Sequence, residues 1–168
     1  MNINCNGTLV DLSYPKVMGI LNLTPDSFYD GGSYNSDKDL LQKVEQMLIA
    51  GATFIDIGGY STRPNASEVT ENEELQRVIP AIQKIKKYFP DALLSIDTFR
   101  SRVARESVAN GCCMINDISA GNLDNQMMPV VAKLQVPYIM MHMRGTPQTM
   151  TQHVTYENMM KEIIDKLR

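Results

Sequence analysis

Five short apolar runs punctuate the chain, at residues 17–23, 54–59, 93–98, 114–119 and 138–142. They show no clean alternation of apolar and polar positions, as expected of strands buried on both faces of a parallel sheet. Between them the apolar residues recur at helical spacing. Leu40, Leu41, Val44, Met47 and Leu48 mark one helix, with Ser36 as its cap and Gly51 at its C-terminal end. Leu75, Val78, Ile79, Ile82 and Ile85 mark a second, opened by a Thr70/Glu73 capping box and kinked or divided by Pro80. A third helix is expected near residues 101–109, ending at Asn110-Gly111, a shorter one over 125–133, and another over 157–167. Residues 8–12, after Asn6-Gly7, form a small strand or hairpin ahead of this rhythm.

Strands alternating with helices imply parallel βα units joined by right-handed crossovers. The rhythm alone fits either a doubly wound sheet or a (β/α)8 barrel. The placement of the unusual polar residues favours the barrel. Asn22, Thr62, Asp97, Asn116 and His142 all fall at or just beyond the carboxyl ends of successive strands. A barrel draws its site from many strand ends at one face, whereas an open sheet concentrates it at a switch point.

Composition narrows the class. The chain has 168 residues, 43% hydrophobic and 21% charged, with a net charge of −3. That describes one ordinary globular domain and argues against general affinity for nucleic acid, which needs a basic surface. Cys5, Cys112 and Cys113 are odd in number and two are adjacent, which does not read as a disulfide framework. No apolar run is long enough to span a bilayer and residues 1–13 lack a signal pattern, so the expected location is the cytoplasm.

The motifs then carry a resemblance. Gly19-Ile20-Leu21-Asn22-Leu23-Thr24-Pro25-Asp26-Ser27-Phe28 with Asp30-Gly31-Gly32 resembles the first signature of the dihydropteroate synthases. Gly58-Gly59-Tyr60-Ser61-Thr62-Arg63-Pro64 resembles their second loop, although Tyr60 and Asn65 stand where Glu and Gly are usual. Ser95-Ile96-Asp97-Thr98 with Arg100, Ile115-Asn116-Asp117-Ile118, and residues 137–150 resemble the third, fourth and fifth.

The resemblance implies a single pterin-binding domain over residues 1–168, α/β in class. It would be a (β/α)8 TIM barrel of dihydropteroate synthase type, truncated to about five βα units and incomplete at the C-terminus. The implied reaction joins p-aminobenzoate to a dihydropterin-methyl diphosphate with loss of diphosphate. It assigns Thr62, Arg63, Asp97, Asn116 and Met141 to substrate and Asn22 to a magnesium ion, with no acid, base or nucleophile.

The chemistry of the residue types agrees. A guanidinium suits phosphate oxygens, a carboxylate can accept from a pair of ring donors, an amide both donates and accepts, and a thioether suits an aromatic face. Mg²⁺ takes oxygen ligands and keeps several waters, so a neutral amide oxygen together with substrate phosphates is a workable set. His142, with no second His or Cys at ligand spacing, reads as structural.

The family's three later strands, with an Asp, a Ser-Arg-Lys segment and an Arg-x-His segment, have no counterpart here, so the chain alone is expected to be inactive and to self-associate as a homo-oligomer. Two other readings stand beside this one. One is the related pterin-binding barrel of methyl-transferring enzymes, the other a non-catalytic fragment that associates with itself.

Overall fold

The structure, a computed structural model, describes residues 1–23, 34–60 and 69–168. Among the described residues, seven strands and five α-helices follow one another in the order β1 (Asn2–Cys5), β2 (Thr8–Asp11), β3 (Met18–Asn22), α1 (Tyr34–Ile49), β4 (Phe54–Gly58), α2 (Glu71–Tyr88), β5 (Leu93–Asp97), α3 (Ser101–Ala109), β6 (Cys112–Asp117), α4 (Met127–Leu134), β7 (Tyr138–Met140) and α5 (Met159–Leu167). Strands β3 to β7 form one parallel sheet in strictly sequential order. A doubly wound sheet reverses direction at a switch point, whereas a barrel adds each strand beside the last. The sequential order is therefore that of a (β/α)8 barrel wall.

Alternation along each strand sorts residues onto two faces. Leu21, Ile55, Ile57, Leu94, Ile96 and Ile115 pack against helix residues such as Val44, Val78, Ile82 and Val103 in the main core. The opposite, inner face is layered by register. Ile20, Asp56, Ser95 and Met114 lie in one row, and Asn22, Gly58, Asp97, Asn116 and Ile139 in the row nearest the carboxyl ends. Toward the amino ends, Phe54 and Cys113, together with Met114 of the lower row, pack with Cys5 and Val10 of the β1–β2 hairpin. The hairpin thus covers the amino end of the inner face and leaves the carboxyl end for a site.

Several boundaries differ from those the sequence suggested. Helix α1 starts at Tyr34, so Ser36 lies within its first turn and does not precede it. Pro80 does not divide α2, because it is exposed and water can take the backbone bond the ring removes. The Thr70/Glu73 capping box is present. Strand β6 begins at Cys112, both cysteines being small, buried and able to join the ladder. It ends at Asp117, whose carboxylate accepts from Ser119 N and Gly121 N and closes a turn. Asp124 accepts from Gln126 N, so α4 waits until Met127, and Asn158 caps α5 by accepting from Lys161 N. Strand β7 stops at Met140, two residues short of His142. The three cysteines are free and buried, and no helix among the described residues is long and apolar enough to cross a membrane.

Candidate substrate-binding site

Three of the residues singled out in the sequence share the upper row of the inner face. Asn22 ends β3, Asp97 ends β5 and Asn116 is the penultimate residue of β6, and register links them through Gly58 of β4. Gly58 makes the grouping close. A Cβ placed there would lie 3.5 Å from both Asn22 Oδ1 and Asp97 Oδ2. Asn22 is exposed, while Asp97 and Asn116 are half-buried. Thr62 and Arg63 lie outside the described residues. Met141 follows β7, 43% exposed, with its backbone N–H donating to Asp117 O at 3.0 Å.

The site is electrostatically loaded. Burial pushes the Asp97 carboxyl up to about 7, and the carboxylates of Asp56, Glu74 and Asp117 add to the shift. Asp56 sits one row deeper, 5% exposed. It accepts from Asn116 Nδ2 through Oδ2 at 2.9 Å, but its Oδ1 has no hydrogen-bond partner among the described residues. The neighbouring Ser95 hydroxyl faces this carboxyl and, with Asn116, partly offsets the upward push of burial on it. Asp117 differs. Its two oxygens accept from Ser119 N, Ser119 Oγ, Gly121 N and Tyr138 Oη.

Under the rim, Glu74 is fully buried and accepts from Thr98 Oγ1 at 2.7 Å and Arg100 at 2.5 Å. Arg100 also donates to Val69 O at 2.6 Å, tying the end of the β4–α2 loop to the start of α3. Its guanidinium lies over the rings of Tyr60 and Phe99, at 5.3 and 5.2 Å from their centroids. Tyr60 meets Phe99 edge-on and accepts from Gln148 Nε2 at 2.9 Å, joining the loop after β7 to the end of β4. His142 faces Tyr156 Oη at 3.2 Å through Nε2.

The donors fit a sparsely held hard cation. Asn22 offers an exposed neutral oxygen on the inner face, and no group of three or more His, Cys, Asp or Glu side chains converges among the described residues. That is a poor set for a transition metal and an adequate one for a largely hydrated Mg²⁺.

Comparison with known proteins bears on this arrangement. Residues 18–168 match the model of the pterin binding enzyme family. The chain belongs to that family. It is 46% identical to the dihydropteroate synthase of Haemophilus influenzae over 98% of its own length and 59% of the relative's. A Yersinia pestis dihydropteroate synthase solved in a sulfonamide drug complex superposes with a TM-score of 0.85 at 44% identity, covering 98% of this chain and 59% of that one. The Xanthomonas albilineans synthase solved with 7,8-dihydropteroate gives 0.79 at 35% identity, over 96% and 55%. The chain therefore spans well under two thirds of the length of these relatives. The sequential sheet of this chain is the barrel wall they share.

Asp56, Ser95, Glu74 and Gly58 were not candidates in the sequence. Asp56 carried a usable signal, a lone carboxylate in the middle of an otherwise apolar strand; Glu74 carried none beyond its place in a helix whose other face is apolar.

Proposed function

We propose that this chain is the part of a dihydropteroate synthase that holds the dihydropterin and its diphosphate. The observation that carries the reading is the shared row of Asn22, Asp97 and Asn116 at the carboxyl ends of three parallel strands. In this reading Asp97 accepts from the amino group and adjacent ring N–H of the pterin, and Asn116 meets an edge of mixed donors and acceptors. Met141 lies against the ring face, and Thr62 and Arg63 serve the diphosphate end.

The reaction is a displacement at the exocyclic methylene. The carbon–oxygen bond to diphosphate breaks, the amine of p-aminobenzoate forms the new carbon–nitrogen bond, and that nitrogen loses a proton. Bound at Asn22 with the diphosphate, Mg²⁺ would supply neutralisation of the departing charge. The protein's own part is positioning, exclusion of water, and a carboxylate that favours positive charge developing on the ring. A cytoplasmic location and a self-associated form belong to the same proposal. For the second, Ile20 and Ile139 expose 65% and 38% of their surface on the edge strands β3 and β7.

Calorimetric titration tests the assignment with two probes, 6-hydroxymethylpterin and the corresponding diphosphate with Mg²⁺. Asp97→Ala should weaken both, by about 2 to 5 kcal/mol for a buried charge-assisted contact. Asn22→Ala should weaken only the diphosphate and raise the Mg²⁺ it requires. Equal loss of both ligands in a folded Asn22 variant would make Asn22 a shaper of the pocket and remove the metal role.

A further inference from the structure

We propose that Asp56 is a positioning residue, which fixes the amide of Asn116 in one orientation and so sets the order of donor and acceptor offered to the pterin. The inference deepens the proposed function and rests on it for the identity of the ligand. Asn116 Nδ2 donates to Asp56 Oδ2 at 2.9 Å, one row below the site. An ionised carboxylate only accepts, so a rotated amide would set Asn116 Oδ1 against it and lose the bond. The pinned amide keeps its second N–H and its Oδ1 uncommitted among the described residues. A pterin edge that alternates acceptor and donor can pair with that arrangement and not with its reverse.

Stability is a poor reason to keep a carboxylate here, because Ser95 and Asn116 only partly offset the cost of burying it. Asp56 is 5% exposed, its Oδ1 has no partner among the described residues, and Phe54, Ile55 and Ile57 around it in β4 are buried apolar residues. A buried carboxylate with one oxygen unpartnered costs folding free energy, and an apolar residue of similar size would remove that cost. The contrast with Asp117 is informative, because that carboxylate closes a turn with four donors and has an evident structural role.

The two roles separate in Asp56→Leu. Removal of the acceptor frees the amide to rotate, and binding of 6-hydroxymethylpterin should weaken about tenfold, the worth of one hydrogen bond, while the thermal midpoint holds or rises. Asp56→Asn retains an acceptor but no longer enforces the order, and its affinity should fall between those of Leu and the wild type. In the unliganded wild-type chain, the side-chain amide protons of Asn116 should exchange slowly by NMR, and Asp56→Leu should abolish that protection. Wild-type affinity in Asp56→Leu, or affinity and thermal midpoint falling together, overturns the proposal. So does an Asn116 amide that exchanges freely in the wild type, a readout that stands even where the variant fails to fold. A wild-type chain that does not bind the pterin, with the amide protected, would instead defeat the proposed function and leave the pinning intact.

Discussion

Asn22 and Asp97 approach one another across Gly58, the β4 residue in their row, and the absence of a side chain there is what lets the two polar groups share one site. A methyl group at Gly58 would stand 3.5 Å from Asn22 Oδ1 and Asp97 Oδ2, which is ordinary van der Waals contact. The φ of Gly58 lies outside the left-handed region, so an alanine is tolerated by the backbone.

Gly58→Ala is accordingly expected to fold, with stability equal to or above the wild type by up to roughly 1 kcal/mol, since Gly in a strand interior is the costlier residue. The methyl group would nonetheless displace water and ligand from between the two polar groups. Affinity for the pterin diphosphate with Mg²⁺ should drop by an order of magnitude or more. Urea denaturation and calorimetry on the same sample give both numbers, and a variant that loses stability without losing affinity would assign Gly58 to packing.

The neighbouring glycine behaves oppositely. A Cβ at Gly59 would come within 2.7 Å of Val78 Cγ1 and 3.3 Å of Glu74 O, so α2 must shift to admit it. Gly59→Ala should cost about 1 to 3 kcal/mol of stability, the usual range for overpacking a dense core. Denaturation midpoints of the two single alanine variants, compared directly, check the contrast: only Gly59→Ala should lie well below the wild type.

Glu74 and Arg100 give a third expectation. The Glu74 side chain is 1% exposed and that of Arg100 18%. Arg100→Ala would strand a buried carboxylate, remove the stacking over Tyr60 and Phe99, and release Val69 O. A loss of about 3 to 5 kcal/mol is expected. Converting Glu74 to Leu in the Arg100→Ala background should recover much of it, because the uncompensated charge is then gone. Failure of that double variant to regain stability would place the cost in the lost loop contact.

The grouping of part of this candidate site was readable from the sequence, and the reasons differ by residue. Asn22, Asp97 and Asn116 were legible because each interrupts an apolar run at its carboxyl end, and parallel βα units bring such positions to one face. The sequential sheet follows from the same pattern. Asp56 and Ser95 went unassigned because they lie inside strands and not at a carboxyl end; the lone carboxylate of Asp56 in an apolar strand was a signal, whereas the small hydroxyl of Ser95 gave little contrast. Glu74 was hidden by helical context, since an acidic residue in a first turn is normally a favourable but exposed partner of the helix dipole. Its burial depends on Thr98 and Arg100, more than twenty residues away. The early start of β6 is of the same kind, because Cys112 and Cys113 pack against different clusters that only the folded sheet creates.

The carboxyl of Asp97 yields the last prediction, in which stability and affinity run in opposite directions with pH. Its pKa rises from an ordinary 3.8 to about 7 in the folded chain, first through burial and then through Asp56, Glu74 and Asp117. Between those two values the folded chain holds a proton that the unfolded chain has released. Stability is therefore fully present below about pH 4, falls as pH rises toward about 7, and levels off beyond. Burial shifts Asp56 and Glu74 upward too, so their titration adds to the fall. Affinity for 6-hydroxymethylpterin should climb over the same interval, because only the ionised carboxylate accepts from both pterin donors. Asp97→Asn removes both trends at this position. At pH 8 it should be more stable than the wild type by roughly 1 to 3 kcal/mol, while its pterin affinity stays low and nearly flat with pH. Urea denaturation and calorimetry at half-unit steps from pH 4.5 to 8.5 measure both slopes. A wild-type stability that rises across this range, or an Asp97→Asn variant whose affinity still climbs, would show that another group governs the titration of the site.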